Sequence, residues 1–110
     1  MKVHSDIWVY ALVRRAQLGG AFATIVRKGD ARGGAVLVKT FDSRSRQTRL
    51  WSEATSADAE TLWMRPLASE AEADVDAYIA RAARIDPDIW VVEIEDPDGR
   101  RLLTEPTDLD

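Results

Sequence analysis

The residues best suited to chemistry are cations that concentrate between residues 27 and 49. They surround a glycine-bearing segment, KGDARGG at 28–34, and a tryptophan follows closely. Cations combined with aromatic rings are typical of proteins that bind phosphate groups or single-stranded nucleic acid. The residues predicted to bind an anion or a partner are Arg27, Lys28, Arg32, Lys39, Arg49 and Trp51.

The segment 28–34 has the composition of a phosphate-binding loop but not its context. Such a loop normally leads into a helix whose backbone N–H groups meet the anion, whereas these glycines lead into an apolar, β-branched run. We therefore expect Gly29, Gly33 and Gly34 to supply positive φ in a connection between strands. We predict no nucleotide or other cofactor.

Carboxylates concentrate towards the other end of the chain. Glu93 and Glu95 are two residues apart, so on a strand they would point to the same side, as a hard-cation site requires. A metal-dependent nuclease would also need a lysine near these carboxylates, and none is present in this stretch. We therefore interpret Glu93 and Glu95 as the solvent-exposed side of a half-buried strand and predict no metal site. The acidic patch, a candidate counterpart of the cations, consists of Glu93, Glu95, Asp96 and Asp98.

Net charge differs strongly between the two parts of the chain. Residues 1–50 contain ten Lys and Arg and three Asp and Glu, whereas residues 51–110 contain five and sixteen, so net charges of +7 and -11 combine to -4. The two parts could neutralise each other in the fold or across a homodimer, or the basic part could bind an external anion. Cysteine is absent, which excludes disulfides, thiolate metal sites and cysteine nucleophiles.

Apolar patterning predicts an α+β fold with two helices. The first should begin at Ser5, a good N-cap, and end at the glycines 19–20. The run 7–13 is apolar throughout and also fits a buried strand, but the cations before the glycines favour a helix. A capping box of Ser69 and Glu72 predicts the start of the second helix. Its apolar stripe consists of Val75, Tyr78, Ile79, Ala82 and Ile85.

The strands are predicted to begin with a hairpin that extends to an antiparallel meander of about four strands. Its members are 21–26, 35–38, 48–53 and 61–65. A C-terminal strand at 89–96, or a hairpin with a short strand at 100–103, completes the fold. We expect both helices on one face of the sheet. Of the four tryptophans, Trp51 is the candidate for exposure at an interface, and Trp8, Trp63 and Trp90 fit the core.

Three segments stand out as a set: DIWVYALVRRA near the start, AFATIVRKGDARGGAVLVK in the middle and DPDIWVVEIEDPDGR towards the end. Together, and in this order, they resemble a bacterial family of unknown function, the domain-of-unknown-function family DUF 1491. The resemblance spans nearly the whole chain and implies a small cytosolic bacterial protein. It supplies no reaction, cofactor or catalytic residue.

These patterns predict a single α+β domain over residues 1–103 and a flexible acidic tail over 104–110. Without a long apolar run or a secretory signal, the expected location is cytoplasmic, with no membrane contact. The favoured function is a non-enzymatic interaction module that binds a protein or itself, with a homodimer as one form, and no catalytic residue is assigned. The alternative is nucleic-acid or anion binding through the basic hairpin, and the third is a metal-dependent enzyme that uses the C-terminal carboxylates.

Overall fold

The structure, a computed structural model, describes residues 4–55, 57–58 and 61–97. Its elements confirm the α+β class and the helix over 7–13. In chain order they are α1 (Ser5–Leu18), β1 (Phe22–Arg27), β2 (Val36–Asp42), β3 (Gln47–Thr55), β4 (Thr61–Met64), α2 (Glu72–Ile85) and β5 (Trp90–Asp96). Asp98, the predicted strand at 100–103 and the predicted tail at 104–110 lie outside the described residues.

The five strands form one mixed sheet in the order β1-β5-β2-β3-β4. β5 lies between β1 and β2, antiparallel to the first and parallel to the second, so the predicted hairpin of 21–26 with 35–38 is wrong. The predicted antiparallel meander is correct only for β2, β3 and β4. β5 suits a central place because it is apolar on both sides: Val91 and Val92 point to opposite faces and both are buried.

The loop between β1 and β2 passes over the residues that precede β5, and its glycines permit that passage. A Cβ atom at Gly29 or Gly34 would collide with the backbone carbonyl oxygen of Asp88. The backbone N–H of Asp30 donates to the same oxygen at 2.9 Å. Gly29, Gly33 and Gly34 do not have positive φ, so the predicted reason for them is wrong. Close backbone approach, rather than left-handed conformation, requires glycine at two of these positions.

The same loop anchors the start of α1. The backbone N–H groups of Ser5 and Asp6 donate to the carbonyl oxygens of Arg32 at 3.2 Å and Ala31 at 3.0 Å. The Ser5 hydroxyl donates to the carbonyl oxygen of Gly34 at 2.6 Å. The N-cap is His4 and Ser5 is the first helical residue, so the predicted N-cap at Ser5 is wrong. The loop therefore provides acceptors for N–H groups that a helix leaves without internal partners.

The two helices cover opposite faces of the sheet rather than the single face that we expected. α1 packs on the face that carries Val36, Val38 and Val92, and α2 packs on the face that carries Leu37 and Leu50. Successive side chains of a strand point to opposite faces, so the uninterrupted apolar run at the start of β2 contributes to both cores. A strand that is apolar at consecutive positions is typical of a sheet covered on both sides.

The tryptophans belong to the core beneath α1. Trp63 and Trp90 are buried as predicted, and the ring of Trp8 stacks on that of Trp63 with centroids 5.1 Å apart. Trp51 is also buried, so its predicted exposure is wrong; its indole N–H donates to the hydroxyl of Thr40 at 3.2 Å. It faces inward because it lies opposite a valine of β2 that points towards α1.

α2 follows its predicted stripe except at the C-terminal end. Ile85 is exposed, whereas the other members pack on the sheet: Val75, Tyr78, Ile79 and Ala82. The N-cap is Ala71 and Glu72 is the first helical residue, so the predicted capping box is wrong. Ser69 nevertheless makes a hydrogen bond near the start of α2: its hydroxyl donates to the carboxylate of Asp74 at 2.6 Å.

Candidate functional site

Lys39, at the middle of β2, lies under α2 with three carboxylates around it. Its Nζ is 2.8 Å from Asp76 and 3.0 Å from Glu72, both on α2, and 3.9 Å from Glu93 on β5. The lysine side chain is only 7% exposed, whereas the three carboxylates are about half exposed. A buried ammonium needs such partners because its desolvation is costly. These four residues, the Lys39 cluster, connect α2 to the sheet.

Opposing effects act on the pKa of Lys39. Burial lowers it, but the hydrogen bonds to Asp76 and Glu72 and the negative charge of Glu93 outweigh burial, so the pKa lies above its usual value of 10.5. The ammonium is therefore protonated at neutral pH. A lysine that acts as a base or nucleophile needs a lowered pKa, so the arrangement suits a structural ion pair.

The other predicted cations lie in separate surroundings. Arg27 donates to a backbone carbonyl oxygen in the turn before β5 at 2.9 Å. Lys28 and Arg32 are exposed in the loop between β1 and β2. Arg49 on β3 pairs with Glu70, with nitrogen and oxygen 2.8 Å apart. The fold thus does not collect these side chains around Lys39.

The predicted acidic patch is divided as well. Glu93 joins the Lys39 cluster, and Glu95 accepts a hydrogen bond at 3.1 Å from a serine in the turn between β2 and β3. Asp96 is buried, and Asp98 lies outside the described residues. At Lys39, therefore, charge of the basic first half meets charge of the acidic second half within one chain.

Two further features bear on ligand binding. Among the described residues, no group of three or more His, Cys, Asp or Glu side chains is arranged to hold a metal ion. A groove of about 240 Å³ lies between α2 and the segment that connects it to β5, and its volume is below the roughly 300 Å³ at which small-molecule pockets begin. Its lining comprises Tyr78, Arg81, Ala82, Ile85, Asp86 and Ile89.

α1 has a second apolar face that points away from the sheet. Val9, Leu12 and Ala16 are buried, whereas Ile7 and Leu18, on the opposite side, are 59% and 75% exposed. Of the six large apolar side chains exposed among the described residues, three belong to this helix. At about 100° per residue, the exposed side chains form one band along α1. We call this band the outer stripe; it consists of Ile7, Tyr10, Ala11, Arg14, Gln17 and Leu18. Tyr10 lies at its edge, where its ring packs edge-on against that of Trp90 with centroids 6.3 Å apart.

The outer stripe was missed by the sequence interpretation, although its signal is present. The run 7–13 is apolar at every position, and a helix with one face on a sheet cannot bury all of them. Apolar side chains must then remain opposite the buried ones. That ambiguity between strand and helix was itself the sign of a helix with two apolar faces.

The model of a family described as "Protein of unknown function (DUF1491)" matches residues 3–104 of this chain. The chain belongs to the DUF1491 family. This confirms the resemblance carried by the three segments. Among curated proteins, none matches the chain.

Solved structures show that the DUF1491 fold extends over nearly the whole chain. The crystal structure of a DUF1491 family protein from Caulobacter crescentus CB15 is 66% identical, with a TM-score of 0.93 over 96% of this chain and 99% of that one. An NMR structure of a DUF1491 family protein from the same organism, also 66% identical, has a TM-score of 0.90 and covers 98% of both chains. A solution structure of a protein from A. tumefaciens is 31% identical, with a TM-score of 0.79 over 96% of this chain and 95% of that one.

Membership in DUF1491 assigns no activity to the residues described above, since the family is defined without one. Within the described ranges of the chain, neither helix has the length and apolar content needed to cross a membrane. Function must therefore be argued from the surfaces of the fold.

Proposed function

We propose that this DUF1491 chain is a non-enzymatic interaction module whose protein partner binds the outer stripe of α1. One observation carries the proposal: Ile7 and Leu18 are 59% and 75% exposed on a helix that already buries its other face. A surface helix of a globular protein normally presents polar side chains to water. A contiguous exposed apolar surface is typical of an interaction site.

Charge contributes less to this proposal than the sequence suggested. Lys39 and Arg49, two of the predicted binding cations, already form ion pairs inside the chain. A partner that met the outer stripe would be recognised mainly by apolar contact. Such binding should persist at high salt, where pairing between exposed charges is screened.

The Lys39 cluster supports a structural rather than a catalytic role for the buried charge. Its ammonium is 7% exposed and in contact with two carboxylates of α2, so a substrate would have to displace α2 to reach it. Its raised pKa keeps the proton in place at neutral pH. Both facts fit a residue that holds a helix on a sheet.

Nucleic-acid or anion binding is the second proposal, favoured by the exposure of Lys28 and Arg32 in one loop. It has less support because Lys39 and Arg49 are engaged elsewhere, and it requires salt-dependent binding to a single-stranded oligonucleotide. A metal-dependent enzyme that uses Glu93 and Glu95 has less support again, because Glu93 faces an ammonium.

Site-specific photo-crosslinking tests the leading proposal. A photoreactive phenylalanine analogue replaces Leu18 in one variant and Ile85 in another, two apolar side chains that are 75% and 77% exposed on different helices. After irradiation in cells that make the protein naturally, we expect covalent adducts from position 18 and few from position 85. Equal adduct yields from the two positions would contradict an interaction surface on α1.

A further inference from the structure

We propose that the open edge of β1 binds an extended segment of a partner protein, which adds to the sheet as a further strand antiparallel to β1. The segment alternates apolar and acidic residues. This inference goes beyond the proposed function, because it concerns the backbone edge of the sheet rather than the apolar side chains of α1. The two surfaces meet at Arg14 and Gln17, and either can bind without the other.

The directions of backbone groups in β5 show which groups the edge of β1 leaves open. The N–H of Trp90 donates to the carbonyl oxygen of the residue before β2 at 2.8 Å, so Trp90 points towards β2. Backbone groups along a strand point to alternate sides, so Glu93 points towards β1, where it pairs with Thr24. The neighbours of Thr24, Ala23 and Ile25, therefore direct their N–H and C=O groups away from β5.

One of these outward groups already accepts a hydrogen bond from outside the sheet. The carbonyl oxygen of Ala23 lies 3.4 Å from Nε2 of Gln17, an exposed side chain of α1. This contact agrees with the outward direction of the carbonyl group. Its length exceeds the usual range for such bonds, so a backbone N–H of an incoming strand can replace it at little cost.

The side chains of this edge do not block pairing. Natural edge strands are commonly protected by lysine, proline or inward-pointing charge, whereas the first five residues of β1 are FATIV. Phe22 and Val26 are 70% and 56% exposed. A β-bulge between Ile25 and Arg27 confines regular pairing to the first part of the strand. A short segment with apolar side chains on the Phe22 side would cover this exposed surface.

Charge near the edge selects the other side of the segment. The contact of Gln17 with Ala23 places one flank of α1 beside the edge, and Arg14 lies three residues earlier on that flank. Arg14 and Lys28, which directly follows β1, are exposed cations. In an antiparallel pair, residues opposite Ala23 and Ile25 point to the α1 side. Acidic side chains at those positions would meet cations, whereas the two glutamates of β5 point to the opposite face.

Titration of the purified chain with a defined peptide tests the proposal. The probe is a short synthetic peptide in which valine alternates with glutamate, and NMR follows the backbone N–H groups. We expect a Kd below about 1 mM, with hydrogen exchange at Ala23 and Ile25 slowed about tenfold when the peptide is bound. Absence of binding at about 1 mM peptide would overturn the proposal. Slow exchange at both positions without peptide would also overturn it, because the edge would then already be covered.

N-methylated peptides separate backbone pairing from side-chain contact. In the antiparallel arrangement the glutamate N–H groups point to β1 and the valine N–H groups point away. Methyl groups on the glutamate nitrogens should therefore abolish binding, whereas methyl groups on the valine nitrogens should preserve it. An equal effect of the two modifications would contradict pairing at the edge.

Matched charge changes test the acidic chemistry of the segment. A peptide with lysine in place of glutamate should bind about tenfold more weakly. Arg14→Glu should weaken binding of the glutamate peptide about threefold, whereas Arg84→Glu, at an exposed position of α2, should leave it unchanged. Equal binding of the two peptides, or equal behaviour of the two variants, would refute an acidic partner segment.

Discussion

α1 and α2 have the same length, 14 residues, but they are attached to the sheet in different ways. α1 buries Val9, Leu12 and Ala16 completely and is held at its start by backbone carbonyl groups of a loop. α2 has Val75 as its one buried residue and adds two carboxylates that reach Lys39. The first attachment combines apolar packing with hydrogen bonds to backbone carbonyl groups, and the second is partly ionic.

The solvent-exposed faces of the two helices differ in polarity: that of α1 is largely apolar and that of α2 is polar. α1 presents Ile7 and Leu18 to solvent, whereas the exposed positions of α2 before Ile85 carry charged residues and alanines. Because α2 has the polar outer face expected of a surface helix, it needs no further cover. α1 has two apolar faces and uses only one in the described fold. The outer face of α2 is thus polar, whereas α1 leaves apolar side chains exposed, and the proposed interaction rests on that exposure.

The largest expected effect comes from the inner face of α1. Leu12→Ala should lower the free energy of unfolding by about 3 kcal/mol, because it leaves a cavity at a side chain with no exposed surface. Leu18→Ala, on the outer stripe, should change it by less than about 0.5 kcal/mol. Urea unfolding at a concentration where the chain is monomeric measures both. A comparable loss in the two variants would mean that the outer stripe belongs to the fold.

A smaller effect is expected from the loop that anchors α1. Gly29→Ala should cost about 2 kcal/mol, because its Cβ meets the backbone of Asp88. Gly33→Ala is the matched control, since a Cβ there meets nothing within 4 Å, and it should change stability by less than about 0.5 kcal/mol. Hydrogen exchange at the first N–H groups of α1 should accelerate in the first variant and not at the start of α2. Equal losses in the two variants would contradict the role of close backbone approach.

The ion pairs between α2 and Lys39 should contribute less to the free energy of unfolding than the two features above. Lys39→Met should lower the free energy of unfolding by about 1–2 kcal/mol, because it leaves Glu72, Asp76 and Glu93 without their cation. This is below the cost for a fully buried pair, since the carboxylates are about half exposed and can be hydrated. Lys28→Met, at an exposed position, is the control and should change little. Unchanged stability in Lys39→Met would show that α2 is held by apolar packing alone.

The pH dependence of that contribution has a definite sign. The pKa of Lys39 is raised on folding, so the folded chain holds this proton more tightly than the unfolded chain does. The stabilisation is complete below about pH 10 and is lost as the pH rises through the raised pKa. Unfolding measured at alkaline pH should therefore show the original chain converging on the Lys39→Met variant. A gap between them that widened with pH would contradict this.

Most elements of the fold were predictable from local pattern, whereas their arrangement was not. The second helix followed from its 3.6-residue stripe, and β5 followed from its alternating and bulky side chains. The hairpin of β1 with β2 was predicted because two strands joined by a loop normally pair. The prediction was wrong because β5 lies between them in the sheet. The position of β5 depends on its pairing with β1, which joins residues such as Thr24 and Glu93 that are far apart in the chain.

The candidate site was less predictable still. Lys39 and Glu93 were expected either to bind an external partner or to neutralise each other within the fold or across a homodimer, and the structure brings them together beneath α2. Glu72 of the same cluster was interpreted only as a capping-box residue, and Asp76, one turn further along α2, was assigned no partner. Their meeting with Lys39 depends on which face of the sheet α2 covers, and no local pattern encodes that choice.

The sequence by itself determined where helices and strands form, which positions alternate between core and solvent, and that the chain belongs to DUF1491. These properties depend on backbone sterics and on the periodicity of neighbouring residues, which a single stretch of chain contains. Only the tertiary structure decided the strand order, the partners of Lys39 and the side of α1 that stays uncovered. Those properties depend on packing between distant segments, where the apolar run 7–13 can bury just one of its two faces.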